Sequence, residues 1–199
     1  MTSILTKKYD FDTVFDSQKV FRLVLEAMSN PSKIVNIKEY IDKLHGNNAV
    51  FLTIAMTLLD NEVHFYACAD DTLSDEIGSL TFAKKEQLEN ADFVFVGESA
   101  NINQIIENVK CGTLADPHKS ATIIILNDSE PDCRATFYGP GIDGQIEMDV
   151  SRTVKDSLEF RHAQNYEYPQ GIDLIFVSSE GELFTIPRLV KQREDADES

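Results

Sequence analysis

Phe93-Val94-Phe95-Val96, then Asn101 to Lys110, then Ala121-Thr122-Ile123-Ile124-Ile125-Leu126: the reading of these residues decides the fold. Four consecutive β-branched or aromatic residues make a short strand. Ile102, Ile105, Ile106 and Val109 recur at helical spacing on one side of the next segment, and Gly112 ends it. The following apolar run is continuous, as in a strand buried on both faces. Strand, helix and buried strand in that order predict an α/β layer fold.

The flanks fit that unit. Ser17 to Met28 places Val20, Phe21, Val24, Leu25 and Met28 on one helical face, with Ser17 as N-cap and Pro31 as stop. Lys33 to Ile37 is a short strand. Ala49 to Leu59 is apolar on nearly all sides and predicts a helix inside the fold. Val63 to Ala67 is a strand, and Asp70 to Leu80 contains a short helix in which Ser74 precedes Asp75-Glu76. Arg134 to Tyr138 and Ile172 to Val177 are strands separated by a helix at Ser151 to His162. Ser178 to Gly181 turns the chain into a returning strand, Leu183 to Ile186, which Pro187 stops. The expectation is one three-layer α/β domain with a mixed sheet over residues 1–190. A polar, acidic, mobile tail over 191–199 follows it.

Composition narrows the function. Eighteen Lys+Arg against 34 Asp+Glu leave a net charge of −16 over 199 residues. Phosphate-backbone binding needs a basic face and anionic membranes repel acid, so neither nucleic acid nor membrane is an expected partner. No secretory signal opens the sequence, and Cys68, Cys111 and Cys133 are odd in number and widely spaced. Reduced thiols and a cytoplasmic location are expected. Between Lys43 and Lys84 there is no Lys or Arg, while Asp60, Glu62, Asp70, Asp71, Asp75 and Glu76 all fall there. That stretch is either a solvated face or a docking surface for a basic partner.

Motifs with chemistry are weak. Gly139-Pro140-Gly141-Ile142-Asp143-Gly144 matches a dinucleotide fingerprint, but the alternating residues from Gln145 to Val150 form a strand rather than the required helix. A Gly/Pro turn between two strands explains it better. Gly97-Glu98-Ser99-Ala100-Asn101 stands where a nucleophile elbow would, yet lacks its second Gly, so Ser99 is better read as a helix cap. No Cys-x-x-Cys, paired histidine or Walker A sequence occurs, and no metal is expected. Two loops remain. Gly112 to Ser120 concentrates Thr113, Asp116, His118, Lys119 and Ser120 ahead of the buried strand, at a sheet edge where open α/β sheets bind ligands. Tyr166 to Asp173 brings two aromatics, a Pro and a Gly to the start of another strand. Asp173 there should satisfy backbone donors or an Arg, and Arg188 is its natural partner.

Short segments, taken in order, carry a resemblance. They are Phe21-Arg22-Leu23 with Ala27-Met28-Ser29-Asn30-Pro31, Thr57-Leu58-Leu59-Asp60-Asn61, Gly112-Thr113 with Pro117 and Ala121-Thr122, and Gly139-Pro140-Gly141-Ile142. Pro169-Gln170-Gly171-Ile172-Asp173-Leu174-Ile175 and Ile186-Pro187-Arg188 complete the set. The chain resembles the family of the H subunit (PhnH) of the bacterial carbon–phosphorus lyase system, over roughly residues 15 to 188. One position departs: the family often has Gly after Pro31, where this chain has Ser32, a less comfortable residue if that turn needs positive φ.

The resemblance implies a fold similar to the large domain of pyridoxal-phosphate-dependent transferases, without that lysine-bound cofactor and with no other. It implies a homodimer within an assembly with the G, I and J subunits, the ribose 1-phosphonate 5-triphosphate synthase of phosphonate catabolism. That system displaces adenine from ATP with a phosphonate, and a radical iron–sulfur subunit later cleaves the C–P bond. The H subunit is needed for the first stage and has no assigned catalytic residues. The apolar helix at Ala49 to Leu59 adds to the expectation of a dimer. Candidate ligand or interface residues are Thr113, Lys119, Gly139, Gly141, Tyr168, Asp173 and Arg188. The competing reading is a stand-alone small-molecule binder or enzyme using the 112–120 and 166–173 loops. A degenerate pyridoxal-phosphate enzyme is a third, and predicts an aldimine absorbance band.

Overall fold

A computed structural model describes residues 9–98 and 100–193. Ser99 and residues 194–199 therefore lie outside the described residues, and with them the nucleophile-elbow reading and most of the expected tail.

Among the described residues, seven strands make the main sheet: β1 (Val35–Asn36), β2 (His64–Ala67), β3 (Lys84–Lys85), β4 (Phe93–Val96), β5 (Thr122–Leu126), β8 (Asp173–Val177) and β9 (Glu182–Ile186). Their order is β1-β9-β8-β5-β4-β2-β3. The pairs from β3 to β8 are parallel, and β9 runs antiparallel to both its neighbours. A second, antiparallel sheet has the order β10-β6-β7, from β6 (Cys133–Tyr138), β7 (Ile146–Val150) and β10 (Lys191–Gln192). The structure is thus α/β with a mixed main sheet.

Side-chain alternation along β5 explains why its run is continuously apolar. Ile124 enters one core with α1 (Phe15–Ser29), α3 (Ala49–Leu58) and α4 (Asp71–Thr81). Ile123 and Ile125 enter the other with α5 (Ile102–Asn108), α6 (Arg152–Ala163) and the small sheet. Both faces of the strand are covered, so neither can be polar.

Several expectations change in detail. α1 starts at Phe15, and the Asp12 carboxylate, not Ser17, caps it, accepting from the Val14 and Phe15 N–H groups at 2.8 Å each. Ser17 instead donates to the Met56 carbonyl on α3. The buried stripe of α1 is Val20, Val24 and Ala27; Phe21 (48%) and Leu25 (52%) lie a step around the helix and stay exposed. α4 is capped by Asp70, which accepts from the Leu73 N–H at 2.8 Å, while Ser74 is buried inside the helix. α3 is covered within the chain over Ala49 to Ala55, all buried, and only Met56 to Leu58 at its end are part-exposed. α2 (Lys38–Ile41), β3 and β10 were not anticipated. Lys191 and Gln192 pair with Tyr138 and Phe137 in β6, so the first residues of the expected tail belong to the small sheet.

The acids between Lys43 and Lys84 are partly structural. Besides the Asp70 cap, Asp71 pairs with Lys85 at 2.8 Å, Glu76 accepts from the Asn48 amide, and Asp60 accepts from the Glu62 N–H.

The departure after Pro31 has a structural consequence. Ser32 sits at φ 74°, the left-handed region, and its buried Oγ has no partner. Both features cost stability for an L-residue. Ser32→Gly should therefore stabilise the fold by about 1 kcal/mol and raise the Tm by about 3 °C. A thermal melt that is unchanged or lower contradicts this account of the turn.

Candidate functional site

The loop over 112–120 enters β5 at its amino end, and that over 166–173 enters β8 at the same end, where Thr122 and Asp173 are register partners. This corrects the expected placement, because open α/β sheets gather ligands at the carboxyl ends of their strands. At those carboxyl ends lies a small groove of about 270 Å³ containing Asp128, Glu130, Asp149, Glu180 and Glu182.

Within the first loop the polar side chains serve one another. Thr113 Oγ1 accepts from the Asp116 N–H at 2.9 Å, and Lys119 Nζ pairs with Asp116 at 3.0 Å. Both groups are exposed. The second loop is sewn to the first: Gln170 Nε2 donates to the Gly112 carbonyl, and the Gly171 N–H donates to the Cys111 carbonyl, each at 3.0 Å. Tyr168, followed by a cis peptide to Pro169, projects at 79% exposure.

Asp173 and Arg188 are the pair expected from sequence. Asp173, 6% exposed, accepts from the Arg188 N–H at 2.7 Å and from its Nε at 3.3 Å, and it also takes Nη2. Arg188 Nη1 donates to the Pro117 carbonyl. One guanidinium therefore links the start of β8, the end of β9 and the loop before β5.

The Gly139–Gly144 motif is a turn between β6 and β7, as its flanking strands required. Its glycines permit close approach. A Cβ on Gly139 (φ 133°) would lie 2.9 Å from the Leu189 carbonyl oxygen, and one on Gly141 (φ 84°) 2.7 Å from the Ser29 carbonyl oxygen. Gly139 thereby abuts the segment after β9, while Gly141 packs on the turn after α1 and stands apart from the other candidates.

Tyr168 and Arg188 border a cleft of about 650 Å³ between α6 and residues 187–193. Tyr166 and Gln170 of the same loop line it too, and sequence reasoning missed other members: Lys155, Arg161 and His162 on α6, and Lys191 and Arg193 on and after β10. Arg161 is its anchor. At 7% exposure it donates to the carbonyls of Ile186 (2.9 Å), Pro187 (3.3 Å) and Val190 (2.6 Å). Burial lowers its pKa to about 10, opposed by Asp173, so the guanidinium stays charged at neutral pH. A signal for it existed: Arg161 occupies the apolar stripe of α6 with Val154 and Leu158.

Burial also pushes the Tyr166 phenol up to about 12, with Cys111 adding to the shift and Arg161 opposing it. Unfolded, the group ionises near 10.0. Between those values the native state holds the extra proton, so stability falls as pH rises through that window. The denaturation midpoint should drop more steeply there for the parent chain than for Tyr166→Phe. Parallel curves would count against the buried phenol.

Among the described residues no three His, Cys, Asp or Glu side chains group as metal ligands, and no helix is long and apolar enough to cross a membrane. His64 Nδ1 lies 3.4 Å from Asp92, which also binds Lys110, in a surface cluster at the amino ends of β2 and β4.

Comparison with known proteins adds two findings. A family described as bacterial phosphonate metabolism protein (PhnH) matches residues 10–193. A Stutzerimonas stutzeri protein named as a C-P lyase subunit, HtxG, is 27% identical over 175 residues, covering 86% of this chain and 83% of that protein.

Proposed function

The chain belongs to the PhnH family of bacterial phosphonate metabolism proteins, and from that premise we propose that it works as one subunit of a carbon–phosphorus lyase assembly. Its proposed stage is the displacement of adenine from ATP by a phosphonate, in company with the G, I and J subunits. The observation that carries this is the extent of the match: residues 10–193 span both cores and both sheets. Similarity to the C-P lyase subunit HtxG over most of both chains supports the same reading.

A homodimer is part of the proposal. With α3 covered, the exposed Phe21 and Leu25 on α1 are the apolar residues that support an interface. The kinship with the large domain of pyridoxal-phosphate-dependent transferases is proposed as well, supported by a seven-stranded sheet in which β9 alone runs against its neighbours.

Affinity purification of the tagged chain from cells growing on a phosphonate tests the subunit reading. The expected result is recovery of the G, I and J subunits in fixed ratio, and two copies of this chain by light scattering of the purified protein. Loss of growth on phosphonate in a deletion strain, restored by the gene, should accompany it. A chain recovered alone from phosphonate-grown cells rejects the assembly.

A further inference from the structure

Sheet edges are where one chain recruits another, and proteins keep them short or guarded. Among the described residues the two sheets end in β1, β3, β10 and β7. The first three are two residues long each, and β3 consists of two lysines. β7 is the exception. It runs for five residues, Ile146–Val150, without Pro, Gly or Lys, and pairs with β6 on one side alone. Its other edge presents main-chain N–H and C=O groups with no strand beside them among the described residues, a template for one more strand.

The side chains of β7 determine which strand fits. Glu147 and Asp149 alternate with Ile146 and Met148, so acids line one face and apolar groups the other. Both apolar side chains keep exposure, 41% at Ile146. β6 already shows the cross-strand pairing that the acids favour. Arg134 stands opposite Asp149, meets it at 3.1 Å and reaches Glu147 at 3.7 Å. These contacts lie at the surface, and a carboxylate has acceptor sites for a second cation. The groove of about 270 Å³ continues the edge past Met148, Asp149 and Val150. Among the described residues it is lined by no Lys, Arg or His. In it Asp128 accepts from the Ser179 N–H and Glu180 pairs with Lys38, whereas the Glu130 and Glu182 carboxylates have no partner among the described residues. Ile34, 53% exposed, gives the groove an apolar side.

We propose that β7 takes an added strand from a basic partner protein, an extended segment in which Lys or Arg alternates with apolar residues. Its cations face Glu147 and Asp149, and its apolar side chains lie beside Ile146 and Met148. One long cation at its end enters the groove toward Glu130 and Glu182. Main-chain bonds supply affinity, and charge selects the partner. A second copy of this chain is the wrong occupant. β7 set antiparallel against β7 and centred on Met148 puts Glu147 opposite Asp149, and like charges directly opposite destabilise. The inference stands on an open edge and not on membership of a particular assembly, so it and the subunit reading can fail separately.

Fluorescence anisotropy on the full chain tests it, with a labelled eight-residue peptide of alternating Lys and Val as probe. The probe should bind with submillimolar affinity, at least about tenfold tighter than a peptide of the same composition with its lysines in one block. Its affinity should fall as salt rises. N-methylation at alternate peptide residues removes the N–H groups of one peptide edge at a time, so one methylation pattern should abolish binding and the other spare it. Glu130→Lys with Glu182→Lys changes exposed carboxylates, so the thermal melt should hold while the probe binds at least about tenfold more weakly. Hydrogen exchange should slow within Ile146–Val150 when the probe is bound. No binding at millimolar peptide overturns the proposal. Equal affinity for the block peptide, or equal tolerance of both methylation patterns, overturns it too, since either reduces the contact to bare charge. Affinity indifferent to the two reversals, or exchange slowed elsewhere but not in β7, does the same.

Discussion

Arg161→Met should lower the stability of the fold by about 4 kcal/mol, and the Tm by about 12 °C, the largest effect expected of any single substitution near the cleft. Methionine fills much of the same volume, so the loss is not one of packing. It comes from the carbonyls of Ile186, Pro187 and Val190, which would lose a shared donor where the Arg161 side chain now excludes water. Each buried acceptor left unmade costs about 1–3 kcal/mol. Burying the guanidinium is itself unfavourable, as its lowered pKa records, and removing that charge offsets part of the loss. The balance still favours arginine, because one planar fork reaches carbonyls that no single amide or ammonium could serve together. Arg161→Lys should accordingly recover only part of the loss. Because the three carbonyls flank the turn that carries Arg188 and leads to Lys191, the Met variant should also expose the cleft backbone to faster hydrogen exchange. A melt within a degree of the parent chain would mean that water satisfies those carbonyls already.

Much of the fold was legible because its determinants are local. The run from Ala121 to Leu126 is apolar at every position because cores lie on both sides of β5. The apolar helix from Ala49 was placed inside the fold for a comparable reason. The hairpin of β8 and β9 announced itself by two apolar strands and a short polar turn. What escaped is what depends on a distant partner. Lys84–Lys85 and Lys191–Gln192 carry no strand pattern; each pair is ordered by a neighbour, β2 and β6 respectively. In α1 five apolar residues compete for a stripe that holds three, and only the position of α3 and β9 decides that Phe21 and Leu25 remain outside.

The site divides in the same way. Asp173 with Arg188 was readable from an acid at the head of an apolar strand and a base just past its hairpin partner. Thr113 and Lys119 looked chemical because polar residues were crowded into one loop, yet Asp116 absorbs both. Lys155, Lys191 and Arg193 were invisible as a group. They are separated in sequence, and it is the pairing of β10 with β6 that swings the end of the chain back beside α6. Gly139 was singled out for a nucleotide motif it does not form. Its actual use is steric, letting the β6–β7 turn touch Leu189 on the segment that walls the cleft.

Asp173→Ala should cost about 3 kcal/mol, second only to the loss of Arg161. The carboxylate is the single acceptor for the Arg188 backbone N–H, its Nε and its Nη2, and it sits on the first residue of β8 beside Thr122 of β5. Alanine leaves the guanidinium partly buried with only the Pro117 carbonyl to serve it. The penalty stays at the low end for a broken buried pair because the Arg188 side chain keeps 21% exposure and can turn toward solvent. Asp173→Asn preserves one acceptor and should lose about half as much. The diagnostic measurement is the double-mutant cycle with Arg188→Met. If the two groups act as a pair, the double mutant loses less than the sum of the singles, and their coupling is about 2 kcal/mol. Additive losses would assign Asp173 to capping of the strand alone. The cycle also reaches the cleft: releasing Arg188 frees the loop that carries Pro117 and removes the anion that favours the charged form of Arg161. Hydrogen exchange in Asp173→Ala should therefore quicken at the Gly171 N–H as well as at Arg188, while β4, on the far side of β5, keeps its protection.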